Sequence, residues 1–126
     1  MPFVRLTVTP ALTAETARKL AEGTTRLMAE ALGKKAELTS VVVEAANVAA
    51  WVIGGTAQPR AAHLEALVTQ GTNSAEEKRT FLRRAMDLLT AELGTLPEAT
   101  YVVVRDVPAE DWGYGGQSQA DRRPKA

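Results

Sequence analysis

The chain has no cysteine and a single histidine, His63, so its 126 residues offer few groups for acid–base work. Thiolate nucleophiles and disulfides are excluded. One imidazole is too few for a histidine-based metal site. Amines, carboxylates and phenols remain. Lys34 and Lys35 follow Leu32-Gly33, where a helix C-terminus would favour a cation. Glu110 and Asp111 stand beside Trp112, and Tyr101 and Tyr114 are the two phenols. Arg5, Arg60 and Arg105 are candidates for holding a carboxylate, although each is also an ordinary surface charge.

Fifteen Lys plus Arg balance fifteen Asp plus Glu. That balance removes the basic field a non-specific nucleic-acid binder needs, and any anionic substrate must be held by a few local cations. No apolar run approaches the roughly twenty residues of a membrane span, and the start lacks a signal peptide's apolar stretch. A cytoplasmic protein is expected.

Two Val-Val-Val runs, at 41–43 and 102–104, give the register of an internal repeat with an offset of 61 residues. At that offset Trp51 meets Trp112, Gly54-Gly55 meets Gly115-Gly116, Leu32-Gly33 meets Leu93-Gly94, and Thr39 meets Thr100. Residues 2–55 and 63–116 share 15 identities in 54 ungapped pairs, where chance gives about three. The expected organisation is a single domain over 1–126, with one repeat over about 2–61, a second over about 62–116, and a polar, mobile tail over 117–126.

Each repeat reads as strand, helix, strand. Val4, Leu6 and Val8 alternate with Phe3, Arg5 and Thr7, the period of a strand; residues 64–69 are the counterpart. Ala17, Leu20, Ala21, Leu27, Met28, Ala31 and Leu32 fall on one helical stripe, with Thr13 as N-cap and Gly33 as stop. In the second repeat Ser74 and Glu77 fit a capping box, and Phe81, Leu82, Ala85, Leu88, Leu89 and Leu93 supply the stripe before Gly94. The valine runs are strands. A helix between two strands brings them parallel. The fold expected is α/β: two tandem β-α-β units forming a four-stranded mixed sheet with two helices on one face. The other face is left uncovered and half-apolar, which predicts association with further subunits.

A Met1-Pro2 start, a β-α-β unit of about sixty residues, and a closing aromatic-x-x-Gly-Gly turn together resemble the tautomerase superfamily over essentially the whole chain. The stretch 106–116 is similar to the short 4-oxalocrotonate tautomerase members, while residues 54–59 and the later Tyr101 are similar to the macrophage migration inhibitory factor group. The length matches members with two fused units, which form trimers. The resemblance therefore implies a homotrimer and a cofactor-independent keto–enol tautomerase acting on an enolisable carboxylate, a 2-oxo acid.

What the resemblance implies about residues starts at Pro2. Its secondary amine, exposed after removal of Met1, would be the general base. An α-amino group titrates near pH 7.7–8.0, and burial or a neighbouring cation disfavours its protonated form. The two arginines that hold a dicarboxylate in 4-oxalocrotonate tautomerase fall on Leu12 and Ser40, or on Asn73 and Tyr101 in the second copy. None is arginine, and a monocarboxylate of the phenylpyruvate kind suits the sequence better. The migration inhibitory factor pattern places its lysine on Lys34, with Lys35 as a substitute. It also places the pocket tyrosine on Tyr101, a backbone N–H near Val68, and an aromatic on Tyr114; its pocket asparagine falls on Val103. Trp112 would add an apolar wall. His63 stands where Pro2 stands in the first copy, but it is internal and has no free amine. Two other readings stand beside this one: a hydratase, dehalogenase or decarboxylase using Pro2 as an acid, with Glu110 or Asp111 activating water, and a non-catalytic trimeric binding protein.

Overall fold

In β1 (Phe3–Thr9), Val4, Leu6 and Val8 turn inward and are almost completely buried. The computed structural model describes residues 2–123. The Thr13 side chain accepts from Thr16 N and starts α1 (Ala14–Leu32), which buries Leu20, Leu27, Met28, Ala31 and Leu32 along its stripe. A short 3-10 turn at Ala36–Leu38 leads into β2 (Ser40–Ala45). The chain continues through β3 (Val52–Ile53), β4 (Thr56–Ala57) and β5 (Ala61–Thr69). It then forms α2 (Ala75–Leu93), β6 (Tyr101–Val107), a 3-10 turn at Ala109–Asp111, β7 (Gly113–Tyr114), β8 (Gln117–Ser118) and α3 (Gln119–Arg122). The 61-residue offset carries over to structure: α1 maps onto α2, β3 onto β7 and β4 onto β8 without a shift.

The main sheet runs β2-β1-β5-β6. Each repeat contributes a parallel pair, and the two pairs join antiparallel at the centre, with Leu6 opposite Leu64. Both helices pack on one face and against each other. Leu64, Ala66, Val68 and Phe81 complete that core. Phe81 is fully buried, and truncating such a side chain to alanine costs about 3–5 kcal/mol. Leu82, placed on the stripe by spacing alone, is instead 38% exposed, because the buried side of α2 is the narrower row Phe81, Ala85, Leu89, Leu93.

The opposite face is open. Phe3, Val42, Leu67 and Val103 alternate there with Arg5, Glu44, Glu65 and Arg105, which pair as Arg5–Glu44 at 3.6 Å and Arg105–Glu65 at 2.8 Å. The segment expected to be a mobile tail is structured as far as Arg122. A Gly115-Gly116 turn folds β8 onto β7, and Ser118 caps α3 by accepting from Asp121 N. Met1 and residues 124–126 lie outside the described residues. Among the described residues no helix is long and apolar enough to cross a membrane.

Candidate active site

Pro2 sits at the head of β1, buried, with its carbonyl accepting from Ser40 N at 3.2 Å. It lines a pocket of about 420 Å³ whose walls come from both repeats. Helix α1 ends at Gly33, whose left-handed backbone (φ 66) allows Gly33 N to reach Ala29 O and Lys34 N to reach Met28 O, both at 3.1 Å. That turn delivers Lys34, Lys35 and Leu38 to the pocket. Thr72 adds to the lining from the loop between β5 and α2, and Tyr114, Gln119 and Arg122 come from the C-terminal arm.

The lining carries three cations and no acidic side chain among the described residues. Lys34 is half-buried; its Nζ donates to Thr72 Oγ1 at 2.7 Å, and Thr72 Oγ1 donates to Thr69 O at 2.6 Å. Burial pushes the Lys34 amine below its ordinary value, against an opposing pull from Glu77 and Asp106. Glu77 closes the capping box of α2 by accepting from Ser74 N at 2.8 Å. That bond, then one from Asn73, holds its carboxyl below the usual range. Arg122 lies over the Tyr114 ring, 3.7 Å from its centroid, and donates to Tyr114 O at 2.9 Å.

The structure brings Pro2, Lys34, its expected substitute Lys35, and Tyr114 into one pocket. It does not bring the other expected site residues there within one chain. Val68 is one step beyond the Phe3–Leu67 pair of the antiparallel register, close to Pro2, but its side chain is buried in the core. Tyr101 is 63% exposed at the start of β6. It shares a separate cavity with Trp51 and with His63, its register partner. Trp112 lines a third cavity with Glu110, Asp111 and Gln117. His63 stands 3.6 Å from Glu65 on the open face. Arg5 and Arg105 are held in the ion pairs of that face, and Arg60 donates to Leu93 O at the end of α2.

Sequence reasoning did not assign Thr72 or Arg122. Thr72 has no local signal, because its contact with Lys34 spans 38 residues. Arg122 had one: Ser118 three residues before Asp121 is a helix-start pattern directly after the Gly-Gly turn. Among the described residues no cluster of three His, Asp or Glu side chains could hold a metal ion.

Fold and sequence together define the class, a duplicated β-α-β protein of the tautomerase kind. The model of the family described as "Tautomerase enzyme" matches residues 2–58 and again 65–122, and the chain belongs to that family, with one unit in each half. "Probable tautomerase K2" of Dickeya dadantii (strain 3937) is 34% identical over 59 residues, 47% of this chain and 88% of that protein. Among solved structures, a fused 4-OT described as a wild-type symmetric trimer superposes with a TM-score of 0.86 at 17% identity, covering 95% of this chain and 98% of that one. Pt0534 inactivated by 2-oxo-3-pentynoate gives 0.85 at 18%, covering 94% and 96%. A macrophage migration inhibitory factor-like protein from Entamoeba histolytica gives 0.79 at 18%, covering 93% and 97%. At these identities the likeness is one of fold.

Proposed function

We propose that the protein is a keto–enol tautomerase for an enolisable 2-oxo acid, with the Pro2 amine as general base once Met1 is removed. The observation that carries this is the pocket itself: Pro2 is buried in its lining, and the walls bring cations and no carboxylate. Burial and neighbouring positive charge both disfavour protonation of a secondary amine, which keeps it available as a base near neutral pH. Pro2 N takes the proton from the enol hydroxyl. The oxygen's electron pair closes the carbonyl, and the enolic carbon–carbon pair takes the proton back from the pyrrolidinium. Negative charge gathers on oxygen during the transfer, and Lys34, in the same lining, is the cation assigned to meet it. Tyr114 and Leu38 supply apolar wall.

A reading in which Pro2 acts as an acid for hydration or dehalogenation needs a carboxylate to activate water. Glu110 and Asp111 line a different cavity, which favours the tautomerase reading. The open sheet face and the trimeric assembly stated for the fused 4-OT relative support a homotrimer. In a trimer, Tyr101 and Trp112 could reach a pocket only across a subunit boundary. The test is ultraviolet: enolic absorbance of phenylpyruvate should decay faster with the parent protein than with Pro2→Ala. Equal rates would instead support a non-catalytic binding protein.

A further inference from the structure

We propose that Arg122, on the C-terminal arm, holds the carboxylate of the substrate, leaving Lys34 to the carbonyl oxygen; this rests on the tautomerase reading above. The arm is built to put a guanidinium there. Gly115 and Gly116 take φ of 60 and 78, the left-handed pair that a two-residue hairpin turn requires. The hairpin closes so tightly that a Cβ at Gly113 would stand 2.4 Å from Gln117 O. Ser118 then caps α3, and one turn later Arg122 stands over the Tyr114 ring, 3.7 Å from its centroid, and donates to Tyr114 O at 2.9 Å. Stacking and the bond fix the plane of a group whose five N–H donors form a fork matched to a carboxylate. An exposed arginine with neither contact would have no such fixed direction.

The repeat supplies an internal control. The cavity holding His63 is the mate of the Pro2 pocket, since His63, Ile53 and Ala99 stand 61 residues from Pro2, Tyr114 and Leu38. In that copy Val52 replaces Gly113, and Ala61, buried in β5, replaces Arg122. Thr95 and Leu96 replace Lys34 and Lys35. The copy without the proline therefore also lacks the stacked guanidinium and the lysine pair. Arg122 and Lys34 line the same pocket, so one oxo-acid bound there is offered both, its carboxylate at the fork and its carbonyl at the amine. The pocket thus selects an acid without an arginine at Leu12 or Ser40.

Two measurements decide this. The first compares the enol of phenylpyruvate with the enol of phenylacetaldehyde, which has the same ring and enol but no carboxylate. Arg122→Gln should lower kcat/KM for the acid about 10- to 100-fold, chiefly through KM, and leave the neutral enol within about twofold of the parent. Equal losses on both would mean that Arg122 only supports Tyr114, and no loss on either would remove it from the site; each overturns the proposal. The second is calorimetric titration with 3-phenylpropanoate, which has the carboxylate and cannot enolise. Binding should weaken about tenfold or more in Arg122→Gln and persist in Pro2→Ala. No binding to the parent, or equal binding to parent and Arg122→Gln, overturns the proposal. If the parent binds and Arg122→Gln does not, yet no enol is turned over, the tautomerase reading fails while this assignment stands.

Discussion

Lys34 Nζ of the first repeat donates to Thr72 Oγ1 of the second at 2.7 Å, so the pocket cation of one unit is aimed by the other. Thr72 is itself pinned to Thr69 O, which leaves the amine a fixed anchor. Thr72→Ala should therefore raise KM for an oxo-acid about three- to tenfold, the loss of one charge-assisted bond at a part-exposed site. Steady-state kinetics check this, and an unchanged KM would mean that the contact does not position the amine.

Burial of Lys34 has its own signature in stability. Its folded pKa is lowered by desolvation. Below that value the amine is charged in folded and unfolded chains alike, and the burial penalty is fully present. As pH rises through the folded value towards the ordinary 10.5, the folded chain discharges first and the penalty fades. Lys34→Met should be more stable than the parent at neutral pH, with the advantage vanishing towards pH 10.5. Urea midpoints across that range read it directly. A variant less stable than the parent at neutral pH would contradict the burial argument.

Pro2 yields a prediction about its nitrogen. With Met1 attached the nitrogen is an amide and cannot take a proton. A preparation retaining Met1 should lose about 10²- to 10⁴-fold in kcat/KM, the range a general base contributes, while its circular dichroism stays that of the processed chain. Mass spectrometry establishes which form is present, and full activity in the unprocessed form would rule out the amine mechanism.

The elements were legible because their signals are local. Thr13 and Gly33 bracket α1, Ser74 and Glu77 open α2, and the shared 61-residue offset makes each half a check on the other. The pocket was legible only where its residues sit at an element end, as Pro2 and Lys34 do. The Arg122–Tyr114 stack was not, because Ser118 and Asp121 mark only where α3 starts, and what the short helix sets Arg122 against depends on the hairpin closing beneath it. Tyr101 was drawn towards the site by the migration inhibitory factor resemblance, but the register sets it opposite His63 on the open face, away from Pro2 in its own chain. Leu82 fits the apolar spacing and faces outward all the same, since spacing does not say how wide the buried stripe is.

The α2 capping box predicts two different pH behaviours. Ser74→Ala removes an N-cap and should cost about 1 kcal/mol at any pH where the protein is folded. Glu77 differs because its folded carboxyl is held below 4.5 by the bonds to Ser74 and Asn73, with a smaller effect from Lys34. The stability it adds is complete above the unfolded value and is lost as pH falls through the folded one. Glu77→Gln should therefore be less stable than the parent at neutral pH and converge with it below pH 4.5. Thermal midpoints of the three proteins from neutral to acid pH separate the cases, and parallel curves for parent and Glu77→Gln would remove the carboxylate's charge from the cap.

The open sheet face gives the last prediction. Val42 is exposed and Phe3, Leu67 and Val103 are half-buried in the single chain, and the charges between them are already paired within it as Arg5–Glu44 and Arg105–Glu65. A face whose charges are satisfied internally can be buried without leaving any of them unpartnered. Light scattering should give about three times the 13.5 kDa of one chain. Val42→Glu would set a second carboxylate beside Glu44 to compete for Arg5, its register neighbour, so burying the face would strand a negative charge. It should shift the population towards the monomer without unfolding it, because Val42 lies outside the core between sheet and helices. If the monomer proves the stable species in the parent, the sheet face is not an interface and any contribution of Tyr101 or Trp112 to a neighbouring pocket falls with it. If the Val42→Glu chain still assembles as a trimer, association uses another surface.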